Sequence, residues 1–264
     1  MELRGRTALV TGATGGLGQA IARALAARGA SPILTGRRAD VLEPLAAETG
    51  GRAVACDLGD PAGVDALLAE ARDVDVLIAN AGLPASGDLR SFSVEEIDRA
   101  LAVNLRAPMV LARRLAEPMA ARGEGHMVFM SSLAGKVASV GVSVYAATKF
   151  GLRGFAHALR EDLRADGVGV SVILPGFISD AGLFQDAGVK LPPGVGTKRP
   201  QDVADAVVTA IERNRGEVVV APASMRAGAL LGGLAPRVSA AVQRRLGAAD
   251  LAEAFERGQR DKRM

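Results

Sequence analysis

Short strand-like runs alternate with amphipathic helical runs from residue 7 onward, and this alternation constrains the fold more than any other feature of the chain. The strand-like runs lie at 7–11, 31–35, 52–56, 74–80, 125–132, 168–175 and 216–222. Between them, apolar residues recur at helical spacing at 16–29, 39–50, 61–71, 93–123, 144–167 and 200–214. The run at 74–80 is apolar throughout, which places it centrally in a buried parallel sheet. Repeated strand–helix units of this length predict an α/β fold. Its doubly wound parallel sheet has seven strands, right-handed crossovers and helices on both faces. The composition agrees: 49% of residues are hydrophobic but only 3% are aromatic, so Ala, Val, Leu and Ile must build the core.

Punctuation supports the helix assignments. Gly29 and Gly50 stand where helices stop, and Pro61 opens another, in the turn where a missing N–H costs little. Ser93 followed by Glu96 is a capping box, and Pro108 divides the run that it opens. Pro44 limits its helix to one side. Residues 176–199 show no clear period and are expected to be a functional loop. Residues 1–222 read as one domain, and 223–264 as a C-terminal helical extension packed on that domain or at a subunit interface.

Several function classes are disfavoured. A net charge of +3 is too mild for a nucleic-acid partner, and much of the excess lies in the runs 243–245 and 256–264. Cys56 is the lone cysteine and sits in an apolar run, so it reads as a buried structural thiol. His126 and His157 are the only histidines, which argues against a metal site. The opening residues lack a secretory pattern, and no run of ~18 apolar residues is present, so a cytoplasmic protein is expected.

The first strand runs straight into a turn holding Gly12, Gly16 and Gly18. Bare backbone between a strand and a helix lets a diphosphate reach the helix N-terminus, where free N–H groups and the dipole favour an anion. The second strand ends at Gly36, followed by Arg37 and Arg38, where a site for an unphosphorylated ribose would carry an acid. Guanidinium matches phosphate geometry, so NADP(H) is favoured over NAD(H). Asp40 is explained as an acidic residue in the first turn of the next helix.

Tyr145, the only tyrosine, lies four residues before Lys149 on one helix face, and Ser132 ends the fifth strand. A free phenol titrates near ~10, and an adjacent ammonium is expected to lower that value toward working pH.

The motifs TGATGGLG (11–18), NAG (80–82), MVFMSS (127–132), YAATK (145–149) and PG (175–176) occur in order on this pattern. In them the chain resembles the classical short-chain dehydrogenases/reductases over roughly residues 5–222. The resemblance implies a Rossmann-like fold and an oxidoreductase that moves a hydride between the nicotinamide and a carbonyl/secondary alcohol pair. It implies that Tyr145 exchanges the substrate proton, that Lys149 holds the ribose and tunes Tyr145, and that Ser132 hydrogen-bonds the substrate oxygen. Asn104 would support a water-mediated proton relay. Gly12, Thr14, Gly15, Gly16, Leu17 and Gly18 would form the phosphate turn. Asp57 and Leu58 would flank the adenine, and Asn80, Ala81 and Gly82 the ribose, with Pro175, Gly176 and Ile178 beneath the nicotinamide. Ala79 stands where the family commonly has Asn, and neither Ser179 nor Asp180 can be assigned the usual carboxamide contact. A homodimer or homotetramer is implied through helices at 104–122 and 144–164.

Phe177, Ile178, Leu183, Phe184, Val189 and Leu191 make the loop after the sixth strand apolar, and Gly182, Gly188, Gly194 and Gly196 let it move. With Leu83, Leu133, Val137 and Val140 nearby, the substrate is expected to be an apolar carbonyl or alcohol. The extension has three readings: helices on its own subunit, a dimer interface, or a peripheral contact with an anionic membrane. Two alternative functions share these residues: a catalytically silent dinucleotide-binding regulator, and an enoyl reductase or epimerase.

Overall fold

In a computed structural model, which describes residues 1–71, 73–189, 191, 195–245 and 248–263, the alternation becomes seven strands and eleven α-helices. Gly194 lies outside the described residues. The first half runs β1 (Thr7–Thr11), α1 (Gly16–Ala26), β2 (Ser31–Gly36), α2 (Ala39–Thr49), β3 (Arg52–Ala55), α3 (Pro61–Glu70) and β4 (Val76–Ala79). Then follow α4 (Val94–Leu101), α5 (Ala107–Arg122), β5 (Gly125–Met130), α6 (Ser143–Asp162) and β6 (Val168–Pro175). The chain ends with α7 (Gly182–Ala187), α8 (Pro200–Glu212), β7 (Glu217–Val220), α9 (Ala223–Leu234), α10 (Pro236–Arg245) and α11 (Ala248–Gln259).

All strands are parallel, in the order β3-β2-β1-β4-β5-β6-β7. Side chains alternate across the sheet, so one strand feeds two cores. Ala8 and Val10 of β1 join α1, α2 and α8, while Leu9 between them joins α3, α5 and α6. Fully buried Ile21, Leu25 and Leu111 anchor these helices, each worth roughly 1.5–3 kcal/mol of transfer free energy. The direction of winding reverses between β1 and β4, which opens a crevice at their carboxyl ends.

Element boundaries depart from expectation where side chains intervene. The strand at 74–80 stops at Ala79, because the Asn80 N–H donates to the Thr11 hydroxyl (3.0 Å) instead of continuing the ladder. The strand at 125–132 stops at Met130. The helix at 144–167 ends at Asp162, where the chain turns and Val168 N–H returns to the Leu163 carbonyl. Pro44 lies inside α2 without ending it, on an exposed face. The run at 93–123 is interrupted by a π-turn over Ala102–Arg106, with Pro108 in the first turn of α5. Residues 176–199 are not wholly irregular: they include α7 and a parallel bridge between Ile178 and Lys198. His126 is buried, with Nε2 2.8 Å from Ser171 Oγ, and burial pushes its pKa down to about 3. His157 meets Glu217 at 2.8 Å.

The last three helices fold back over the carboxyl end of the sheet. A Cβ at Gly141 would strike Ala252, and one at Gly258 would strike the Ala187 carbonyl. The C-terminal segment therefore lies directly on the 137–141 loop and on α7.

Candidate active site

A cleft of about 630 Å³ runs along the carboxyl ends of the strands. Its first wall is the turn after β1. Gly12 has φ +64°, and a Cβ there would stand 2.7 Å from Ala81 Cα. A Cβ at Gly18 would collide with the Gly12 carbonyl, so the turn can close only on glycine. Gly15 caps α1 with no side-chain acceptor and no acid in the first turn, leaving the first N–H groups open to an anion. Thr11 stitches this turn to β4: its Oγ1 accepts from Asn80 N and Ala81 N, both at 3.0 Å. The Asn80 amide returns a bond to the Thr11 carbonyl at 2.9 Å.

At the end of β2, Arg38 Nη2 donates to the Thr14 carbonyl (2.9 Å), and both Arg37 and Arg38 line the cleft. Gly36 is tightly hemmed: a Cβ would sit 2.9 Å from Thr14 Cγ2. An acidic side chain therefore has no room at this strand end unless Thr14 gives way. Asp40 lies in the first turn of α2. Asp57 and Leu58 line the next stretch of cleft. Burial raises the Asp57 carboxyl, but Arg99 at 2.7 and 2.8 Å and the Gly59 N–H outweigh it and hold it below the usual range.

The other wall carries the hydroxyl groups. Ser132 caps a short 3-10 turn (Leu133–Gly135), accepting from Ala134 N at 3.1 Å, and it hydrogen-bonds the Tyr145 phenol. Lys149 is buried, with Nζ 2.8 Å from the Met130 carbonyl and 5.6 Å from the Tyr145 ring centroid. The ammonium thus lies over the Tyr145 ring while it donates to the Met130 carbonyl. Contrary to the expected lowering, burial pushes Tyr145 up to about 12, against a smaller lowering by the Ser132 bond. Burial also pushes Lys149 down to about 8. Asn104, fully buried on the π-turn, spends its amide on Leu83, accepting from its N–H (2.7 Å) and donating to its carbonyl (3.0 Å). Gly82 is the meeting point: a Cβ there would lie 3.5 Å from Lys149 Nζ and 3.6 Å from Asn104 Oδ1.

Pro175, Gly176 and Ile178 form the floor. Gly176 N–H bonds the Val220 carbonyl, and Met225 Cε of α9 would touch a Cβ at 176. Neither Ser179 nor Asp180 lines the cleft; Ala181 and Gly182 do, and a Cβ at Gly16 would strike Ala181. The loop after β6 therefore closes directly onto the glycine turn.

The expected apolar wall is rearranged by the C-terminal segment. Leu83, Leu183 and Phe184 line the cleft, whereas Leu133, Val137 and Val140 do not. Val137 packs on Gly232 of α9, and Val140 is largely exposed. Phe255 of α11 joins Phe177 and Phe184 in an aromatic cluster with centroids 5.1–6.0 Å apart. Gln259 donates to the Leu183 carbonyl on one lip (2.9 Å). Buried Arg263 reaches the other lip, donating to the Ser86 carbonyl (2.7 Å) and lying 3.8 Å over the Phe92 ring. Asp261 and Lys262, between these two anchors, line the cleft. Sequence reading missed this strap, and it missed Arg99. A buried arginine at position 263 has no periodic signature, because its burial depends on Ser91 and Ser86, 172 and 177 residues away.

A family model described as "short chain dehydrogenase" matches residues 6–189. The ketoacyl reductase HetN of Nostoc sp. is 39% identical over 227 residues, covering 83% of this chain and 79% of that protein. A solved structure of a putative betaketoacyl-ACP reductase superposes with a TM-score of 0.78 at 33% identity, covering 85% of this chain and 100% of the other. A short-chain dehydrogenase from Sphingobium yanoikuyae in complex with NADPH superposes at 0.77 with 28% identity, covering 89% and 95%.

Proposed function

The chain belongs to the short chain dehydrogenase family, NAD(P)-binding oxidoreductases of C=O and CH–OH groups, and we propose that it is an NADP(H)-dependent reductase of apolar ketones of the ketoacyl class. The observation that carries this reading is one cleft holding an uncapped glycine turn, two arginines at the end of β2 and the Ser132–Tyr145–Lys149 group. The residues fit a phosphorylated dinucleotide. Gly12 to Gly18 would receive its diphosphate, and Arg37 and Arg38 its 2′-phosphate, where Gly36 presents no competing acid. Asp57 and Leu58 would edge the adenine, Asn80 to Gly82 the ribose, and Pro175, Gly176 and Ile178 the nicotinamide.

Bound there, the nicotinamide supplies the hydride. The protein supplies orientation and the proton. Ser132 Oγ would hydrogen-bond the substrate oxygen together with the Tyr145 hydroxyl. With its pKa pushed up by burial, Tyr145 stands protonated at neutral pH, the state a proton donor to a carbonyl needs. As the substrate oxygen gains charge it takes the Tyr145 proton, and the Lys149 ammonium, 5.6 Å from the ring centroid, favours the phenolate that remains. Asn104 acts through Leu83, fixing the backbone that borders the substrate. Leu83, Leu183 and Phe184 supply the apolar surface for an acyl skeleton.

The test is turnover of a panel of apolar ketones and 3-oxoacyl thioesters with NADPH and NADH, beside Tyr145→Phe. NADPH should be preferred. The variant should lose about 10²- to 10⁴-fold in kcat while still binding NADPH. Equal turnover by both proteins would remove Tyr145 from the mechanism, and equal use of NADH would remove the phosphate assignment.

A further inference from the structure

The outward face of α9 and α10 takes no part in the cleft. Leu230, Leu231 and Leu234 of α9 are 58%, 66% and 85% exposed, and Val238 and Val242 of α10 are also exposed. Leu230 and Leu234, like Val238 and Val242, are four residues apart and so share a helix face. Lone exposed leucines are ordinary, but five large apolar side chains within residues 230–242 form a patch. The opposite side of the same helices is held down: Ala229 and Gly232 are buried, Gly232 against Val137, and Gln243 donates to the Ala138 carbonyl at 3.2 Å. The exposed side is thus a fixed surface beside the cleft rim.

Its charge is one-sided. From residue 218 to residue 249 the chain carries Arg226, Arg237, Arg244 and Arg245 and no Asp or Glu. All four arginines are exposed. We propose that α9 and α10 form a docking face for an anionic lipid bilayer, with Leu230, Leu231 and Leu234 entering the interface and the arginines meeting lipid phosphates. A second copy is the less suitable occupant. A two-fold contact would lay this patch on itself and set arginines against arginines with no carboxylate between them. A polyanion without an apolar layer, such as RNA, leaves the leucines uncovered. No helix among the described residues is long and apolar enough to cross a membrane, so the contact is peripheral. It places the cleft next to the phase in which apolar ketones concentrate, although docking itself does not depend on the proposed activity.

The experiment is sedimentation of the full chain with vesicles of phosphatidylcholine alone and of phosphatidylcholine with phosphatidylglycerol. The protein should pellet with the anionic vesicles at least about tenfold better, and high salt should weaken the effect. Leu231→Ser/Leu234→Ser and Arg244→Ser/Arg245→Ser should each lower binding about tenfold. Both should leave the melting temperature and the turnover of a water-soluble ketone unchanged. The proposal fails if the chain stays in the supernatant, or if neutral vesicles bind it equally. It also fails if RNA binds it but vesicles do not, or if the leucine variant alters the mass in solution and leaves vesicle binding intact.

Discussion

At the glycine-rich rim of the cleft the structure closes with backbone alone. Gly12 and Gly18 permit contacts that any Cβ would forbid, and both lie within eight residues of β1. At the opposite rim closure depends on side chains: Phe255, Gln259 and Arg263 come from the far end of the chain to meet Phe177, Leu183 and Ser86. The first rim is rigid because its alternatives are sterically excluded. The second is held by hydrogen bonds and ring contacts that single substitutions remove one at a time. Cofactor binding and substrate enclosure should therefore respond separately to mutation.

The largest expected effect is at the backbone rim. Gly18→Val forces a side chain against the Gly12 carbonyl and should weaken NADPH binding at least ~100-fold (about 3 kcal/mol), read by fluorescence titration. Unchanged affinity would break the comparison. Next, Arg38→Ala removes a charged donor beside the turn and should cost NADPH ~10- to 100-fold while sparing NADH. Gly36→Asp should not gain NADH affinity until Thr14→Ala makes room for it.

At the side-chain rim, Arg263→Met leaves the Ser86 carbonyl, Glu96 and Glu256 without their cation. Both glutamates are partly solvated, so about 2 kcal/mol is expected, less than for a fully buried pair. Residues 248–263 should become sensitive to protease, and KM for the ketone should rise while NADPH affinity holds. If both ligands weaken together, the rims are not independent.

The smallest effect lies between the rims, at Lys149. Burial lowers its folded pKa to about 8, below the unfolded value near ~10.4. Between these values the unfolded chain holds more protons, so the stability of the cofactor-free protein should rise with pH from about 8 to 10. The slope is at most ~1.4 kcal/mol per pH unit. Above ~10 the raised Tyr145 pKa opposes the rise, since the folded state then holds the extra proton. Urea unfolding across this range, beside Lys149→Met, measures the slope. An identical slope in the variant would assign it elsewhere.

The strand–helix rhythm was legible because buried parallel strands and amphipathic helices repeat on different periods, and no partner is needed to see them. The short side-chain reach of Ser93 to Glu96 was legible for the same reason. Misplaced boundaries came from distant bonds: Thr11 ending β4 at Ala79 is a contact across 69 residues. The spacing of Tyr145 and Lys149 put them on one helix face. It did not reveal that Lys149 would donate to the Met130 carbonyl, or that burial would move both groups away from their free values.

Local chemistry was enough to mark the glycine turn, the two arginines and the Tyr145–Lys149 pair, since each depends on neighbours within one turn of chain. Packing settled the rest. It decided that Val137 faces α9 instead of the cleft, that Asn104 holds Leu83, and that Gln259 brings residues 261 and 262 to the cleft. Those outcomes depend on which surfaces meet, and a charged Arg263 becomes a core residue only where Ser86, Glu96, Glu256 and Phe92 are assembled around it.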